Sequence, residues 1–452
     1  MTFNLKFKKN FTDARSYRQI INIIISAVAK TGAIICSFLF VPLCLNFLDV
    51  KSYGIWLTMT SVVSWISFLD GGLGNGLKNK LSEAIAHNKM EHCKKLITSA
   101  YAGIFFIVLI STLSFLISAH FVNYARIFKA SEETSGEINA AFLVVFIFFC
   151  VKLLLDLLNS ILLALQKVWL VNIIGLFTNL LLLAGVYFIT KNVHDNKLYY
   201  LSLCFSVLPV IVLIICTFIF FATKNKDLAP HYRYYDYNIL KEILSLGAKF
   251  FVIQIAVIII FSTDNLIITQ LFNPSEVTVY NIAFKYFSIF TFGWSIIIAP
   301  YWVAFNEAYV KNDFDWIRKT VRLLLKLWIL LLVGVLLFLF MSKYAYAFWV
   351  GPKVRVPFLL SILMGVFVLI STFSNIFVYF INGIGKVKIQ FIASLIAGLI
   401  NLPLTYFFAI VVNMGVSGII MGTCLSLIAG PLLGYIQYKL IITKTAKGIW
   451  LK

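Results

Sequence analysis

Two stretches, QKVWLVNIIGLFTNLLLLAGVYF at 166–188 and GKVKIQFIASLIAGLINLPLTYF at 385–407, line up at a constant offset of 219. Lys167/Lys386, Val168/Val387, Ile173/Ile392, Leu176/Leu395, Leu180/Leu399, Tyr187/Tyr406 and Phe188/Phe407 coincide. Each stretch is a polar turn followed by an apolar run long enough to cross a hydrocarbon core, which takes about 20 residues. A second pair lies earlier in each half. LNFLDVKSYGIW (45–56) and TQLFNPSEVTVYNIA (269–283) each pass from an apolar run through a polar turn to a Tyr, at Tyr53 and Tyr280. The chain therefore reads as two copies of one unit.

Working outward, the whole chain has the same character. Of 452 residues, 61% are hydrophobic and only 12% charged. Soluble domains run at roughly 45–50% and about 25%. A soluble enzyme, a disordered chain and a disulfide scaffold are excluded. Twelve apolar spans follow, at about 20–47, 54–72, 97–122, 140–165, 169–190, 198–222, 247–271, 277–304, 322–342, 357–383, 388–412 and 415–440. The first twenty residues are polar and basic, and no small-residue cleavage pattern ends the first span, so it reads as a retained anchor. The fold class is all-α and polytopic: about 12 transmembrane helices in two six-helix lobes around a central cavity. The lobes are residues 1–222 and 246–452, joined by a cytoplasmic linker at 223–245. Six spans per lobe make the repeat parallel, an arrangement common in secondary transporters that bind their cargo between the repeats.

The net charge of +20 sorts by side. Alternating the spans puts 26 Lys and Arg on one face and eight on the other. The positive-inside rule makes the richer face cytoplasmic, with both termini on it. The excess is topological and attracts anionic membrane lipid; no nucleic acid is implied.

Four lysines, Lys30, Lys152, Lys249 and Lys285, remain inside spans, with Asp70, Asp156 and Asp264 as acidic counterparts. A charge at mid-bilayer costs at least about 2.5–3.5 kcal/mol, so such groups face protein or a wet cavity. Lys30 shares a helical face with Ser26, Ala33 and Ser37; Lys285 shares one with Thr278, Asn281, Ser288 and Ser295. Neither has an acidic residue one turn away, and both are read as anion-binding groups. Lys152 and Asp156, spaced i and i+4, are equally readable as a neutralising pair. Lys249 is near a span end and can snorkel. Asp264, in STDN (262–265), reads as partner to a lysine or as the site of a coupling proton or sodium ion. Asp70 closes the second span in LDGGLGNG and reads first as a turn anchor.

Other signals carry no chemistry. GGLGNG (71–76) lacks the strand–turn–helix context of a dinucleotide fingerprint. Seven cysteines and five histidines show no ligand spacing, so neither metal nor cofactor is expected. Asp313 and Asp315 sit in a short loop without a catalytic domain. The longest outer connection (about 123–139) is too short for a membrane glycosyltransferase or polymerase, so the chain is not read as an enzyme.

Three segments carry a family likeness: YGIWLTMTSVVSWISFLDGGLGNGLKNKL (53–81), APYWVAFNEAYVKNDFDWIRK (299–319) and GIGKVKIQFIASLIAGLINLPLTYFF (383–408). They resemble the O-antigen repeat-unit flippases (Wzx type) of the polysaccharide transporter family. That family lies within the multidrug/oligosaccharidyl-lipid/polysaccharide exporter superfamily. The resemblance implies a bacterial inner membrane protein that moves an undecaprenyl-pyrophosphate-linked oligosaccharide from the cytoplasmic to the periplasmic leaflet by alternating access. A polysaccharide polymerase or other assembly protein is the implied partner. Two alternatives share the fold. A cation-coupled multidrug exporter would use carboxylates and aromatic faces. A lipid-linked peptidoglycan precursor flippase would bring lumen arginines and fourteen helices, both of which this chain lacks.

Overall fold

With no water in the hydrocarbon core, a spanning segment must satisfy its own backbone hydrogen bonds, and these sequences do so as helices. The computed structural model describes residues 14–65, 70–130, 134–223, 225–245, 247 and 263–451. The elements used below are α1 (Ala14–Phe47), α2 (Val50–Ser64), α3 (Leu73–Ala86), α4 (Met90–Phe121), α5 (Tyr124–Ile127), α6 (Ser135–Leu155), α7 (Leu157–Ala164), α8 (Val168–Asn192) and α9 (Lys197–Ala222). Then follow α10 (Asp264–Leu271), α11 (Pro274–Ile298), α12 (Tyr301–Val310), α13 (Phe314–Val350), α14 (Phe358–Ile384), α15 (Lys388–Tyr406), α16 (Val416–Leu427) and α17 (Ala429–Ile442).

Among the described residues, ten helical stretches are long and apolar enough to cross a membrane. Each falls on one of the expected spans. The other two expectations, 54–72 and 247–271, include residues outside the described set. The polar stretches between spans are more ordered than a reading by hydropathy suggests. Segment 73–96 contains α3, whose leucines Leu73, Leu77 and Leu81 are fully buried. Segment 305–321 is helical on both sides of a turn at Asn312, which takes a left-handed φ of 57°.

The chain divides into two compact units. One comprises 1–48 and 63–252, the other 49–62 and 253–452. In the first, α1 packs on α8, α6 on α9 and α3 on α4 and α7. Its core gathers Leu73, Leu77, Leu81, Cys93, Leu96, Ile97, Leu158 and Ile161. The segment after α9 packs on this unit too. Asp236 N donates to Ser99 Oγ at 3.0 Å, and Lys80 pairs with Glu242 at 2.5 Å. Glu242 also holds the Lys80 ammonium above the usual lysine range through that hydrogen bond.

In the second unit, α14 is central and contacts α11, α12, α13, α16 and α17. Trp294, Phe305, Phe377 and Phe380 fill its core. Most of α2 belongs here, which explains the split at residue 49. Thr278 Oγ1 donates to the Val50 carbonyl at 2.8 Å, and Thr58 and Thr269 share a 2.8 Å hydrogen bond. Gly54 makes the approach close: a Cβ there would lie 1.7 Å from the Pro274 carbonyl oxygen. Both entering helices are capped by a side chain, α2 by Asp49 (to Lys51 N, 2.7 Å, and Ser52 N, 2.9 Å) and α11 by Asn273 (to Glu276 N, 3.2 Å). Such caps answer the orphan N–H groups of a first turn.

Candidate functional site

The second unit holds a buried polar cluster built from three helices. Asp264 opens α10 and is 6% exposed. Tyr280 on α11 donates its hydroxyl to Asp264 Oδ2 at 2.5 Å. Asn281 Nδ2, one residue on, donates to Asn265 Oδ1 at 2.7 Å, and Asn265 Nδ2 donates to Ser61 Oγ of α2 at 2.6 Å. Thr269, one turn along α10, closes the set through Thr58. Asp264 Oδ1 has no hydrogen-bond partner among the described residues. It borders a pocket of about 60 Å³ that Asn281, Phe367, Ile420 and Thr423 also line. A carboxylate so buried, with one oxygen bonded and one facing a small void, is arranged to accept a proton or a small cation.

Lys285 follows Asn281 by one turn on α11. It is half-buried, and its face carries buried Thr278 and Ser288, as the spacing predicts. Lys30, on α1 of the first unit, is exposed. Its surroundings say to what. Ile24, Val28, Ile35 and Leu39 form the exposed apolar stripe of α1. At 3.6 residues per turn, Lys30, Ser26, Ala33 and Ser37 lie on roughly the opposite side. Lys30 is therefore exposed on a different side of α1 from that apolar stripe.

Lys152 and Asp156 form an ion pair at 2.6 Å, and Asn159 Nδ2 donates to Asp156 Oδ1 at 3.0 Å. This is the neutralising arrangement that the i, i+4 spacing allowed, placed where α6 breaks into α7. Asp70 accepts from Gly72 N at 2.8 Å and Gly74 N at 3.1 Å. It anchors the turn into α3, where Gly72 takes a φ of 76° that favours glycine. Lys249 lies outside the described residues. Tyr280 entered the sequence reading only as a repeat marker, and Asn265 only within STDN. Their signal is the recurrence of polar side chains at helical spacing inside apolar spans. Among the described residues, no group of three His, Cys, Asp or Glu could hold a metal ion.

All-helical architecture, spanning segments and buried polar groups define a multi-pass membrane protein. Its fold is like that of solved multidrug transporters. An inward-facing multidrug resistance MATE transporter of the MOP superfamily superposes with a TM-score of 0.78 over 94% of this chain and 98% of that one, at 14% identity. An outward-facing one gives 0.65 over 94% and 96%, at 12% identity. The expected all-α polytopic fold is borne out. In sequence, the chain is 24% identical over 307 residues to a putative O-antigen transporter of Salmonella typhimurium, spanning 66% of this chain and 68% of that one. A putative O-antigen export protein of Yersinia pseudotuberculosis is 24% identical over 310 residues, 65% of this chain and 67% of its own. The likeness to Wzx-type transporters read from the three segments is thereby supported. No known family's sequence model matches the chain.

Proposed function

We propose that this protein is a flippase for undecaprenyl-pyrophosphate-linked oligosaccharide. It carries an O-antigen or similar repeat unit from the cytoplasmic to the periplasmic leaflet of a bacterial inner membrane. The observation that supports the reading is Lys30 itself: a cation within a helix long and apolar enough to span, exposed on the side of α1 opposite the stripe of Ile24, Val28, Ile35 and Leu39. A lysine there supplies a point charge for phosphate oxygens. Lys285 supplies a second from the other lobe. Residues 1–222 and 246–452 act as the two rocking lobes, except that 49–62 moves with the second; 223–245 is the cytoplasmic linker, held on the first lobe, and both termini are cytoplasmic. The relatives' names support the cargo class. The pyrophosphate meets the lysines, the glycan enters the cavity, and the lipid tail stays in the bilayer. Asp264 exchanges a coupling proton, held by Tyr280 through Oδ2 and open at Oδ1. A polymerase of the surface polysaccharide receives the product, and no cofactor is involved.

The test is surface glycan display in a strain lacking the protein. Lys30→Ala and Lys285→Ala are expected to abolish display at unchanged membrane abundance. Normal display in both and in the double variant would refute the pyrophosphate role. A second reading, a cation-coupled drug exporter, draws on the multidrug transporters that share the fold. Altered toxin sensitivity with intact glycan display on deletion would favour it.

A further inference from the structure

In the second unit, polar residues recur at helical spacing on four neighbouring helices. The line on α15 holds Gln390, Ser394 and Asn401; that on α16 and α17 holds Thr423, Ser426 and Gln437; α14 adds Ser371. Between them lies a cavity of about 180 Å³, lined by five of these seven residues, Ser371, Gln390, Ser394, Ser426 and Gln437. The pocket beside Asp264 is separate, and Thr423 lines it. Asn401, fully buried, joins the two: its Nδ2 donates to Thr423 Oγ1 at 3.1 Å and to Ser426 Oγ at 3.3 Å. From Thr423 to Gln437 is fourteen residues, about 21 Å of helix at 1.5 Å each, against a hydrocarbon core of about 30 Å.

Small-residue lines alone mean only close helix packing. The independent observation is a set of unanswered oxygens. Six buried side-chain oxygens without a partner among the described residues lie along this column. They are Asp264 Oδ1, Asn401 Oδ1, Thr405 Oγ1, Ser371 Oγ, Gln390 Oε1 and Gln437 Oε1. Gln437 is fully buried, and its amide nitrogen is already committed to the Lys386 and Trp450 carbonyls at 2.9 and 3.1 Å. Its oxygen needs a donor from the cavity. One water needs roughly 10–15 Å³ of such space and two to four polar partners, so both voids qualify. No Lys, Arg, Asp or Glu lines the larger cavity. An anion would meet no cation there, and a metal ion no counter-charge.

We infer that this column is a hydrated conduit through which Asp264 exchanges its proton with the cytoplasm. The inference rests on the proposed role of Asp264 and on the proposed topology. The proton leaves Asp264 Oδ1 for the adjoining water, passes along waters and the Thr423 and Ser426 hydroxyls, and emerges as hydronium beside Gln390 and Gln437. Asp264 is left as a carboxylate whose Oδ2 still accepts from Tyr280. Asn401 is a positioning residue that holds both hydroxyls at the narrow point. The titratable groups around Asp264 are Tyr280 on α11 and, beyond it, Cys424 on α16. From α2 and α14 the facing groups are neutral, Ser61, Thr58 and Phe367.

The test is one-sided labelling in a cysteine-free full-length background. Ser394→Cys is expected to react with a small membrane-impermeant methanethiosulfonate at least tenfold faster from the cytoplasmic than from the outer face. Leu399→Cys, 75% exposed on the same helix, is expected to stay unreactive in lipid. Ser394→Cys that is inert from both faces, or equally reactive from both, overturns the conduit. Asn401→Leu is expected to lower glycan display at least tenfold at equal membrane abundance; display at the wild-type level overturns its role. Asp264→Asn separates the two claims. If it is inactive while Ser394→Cys is inert, only the conduit fails; if it displays glycan normally, the coupling reading itself fails. Export that needs sodium and ignores pH overturns the proton as passenger.

Discussion

Gly54→Ala is the perturbation whose size the structure fixes best. The added Cβ would sit 1.7 Å from the Pro274 carbonyl oxygen, and real Cβ atoms keep at least 3.0 Å. Helix α2 must therefore move off α11 by at least the difference. Such a shift carries the 2.8 Å hydrogen bonds Thr278–Val50 and Thr58–Thr269 out to about 4 Å, beyond bonding range. Overpacking costs about 1–3 kcal/mol. Two lost hydrogen bonds add roughly 0.5–1.5 kcal/mol each. The expected destabilisation is about 2–6 kcal/mol. Gly293→Ala on α11 is the control: it meets nothing within 4 Å and should be neutral or gain about 0.5–1 kcal/mol. The assay is thermal unfolding of the purified protein in one detergent, with membrane abundance alongside. Equal midpoints for the two variants would refute the packing of α2 against α10 and α11, and with it the placement of Ser61 on Asn265.

Three further outcomes follow from other parts of the fold. The separate costs of Lys152→Ala and Asp156→Ala should add up to more than the cost of the double variant, by about 0.5–1 kcal/mol of coupling for a partly exposed pair; a thermal double-mutant cycle with no coupling contradicts the ion pair. Asp70→Ala should cost roughly 1–3 kcal/mol by leaving the Gly72 and Gly74 N–H groups without their acceptor, seen as a lower unfolding midpoint. Tyr280→Phe should reduce glycan display at unchanged abundance, since Asp264 Oδ2 then loses the hydroxyl that donates to it; display at the wild-type level would detach Tyr280 from the coupling role.

What was legible in the sequence follows from what hydropathy encodes. A spanning helix announces itself by length and apolarity alone, so α8, α9 and α14 were readable to within a few residues. Contacts between helices are not encoded that way. The transfer of residues 49–62 to the second unit depends on Gly54 fitting against Pro274, which is a matter of distance. The candidate site divides on the same line. Lys30, Lys285 and Asp264 stand out because a charge in an apolar run is rare. Lys152 and Asp156 carry their pairing in their spacing, and the ion pair follows it. Tyr280, Asn401 and Gln437 are neutral, and neutral residues in a span attract notice only once the structure shows which face another helix or a void.

The central claim is movement of a lipid-linked pyrophosphate sugar by a cationic path. Its most direct measurement is transbilayer movement of a radiolabelled undecaprenyl-pyrophosphate oligosaccharide in vesicles containing the purified protein. The wild type should move the label to the far leaflet, and the Lys30→Ala/Lys285→Ala double variant, folded and inserted equally well, should leave it where it was. Equal movement by both proteins, or none by the wild type alongside transport of an organic cation, would contradict the account.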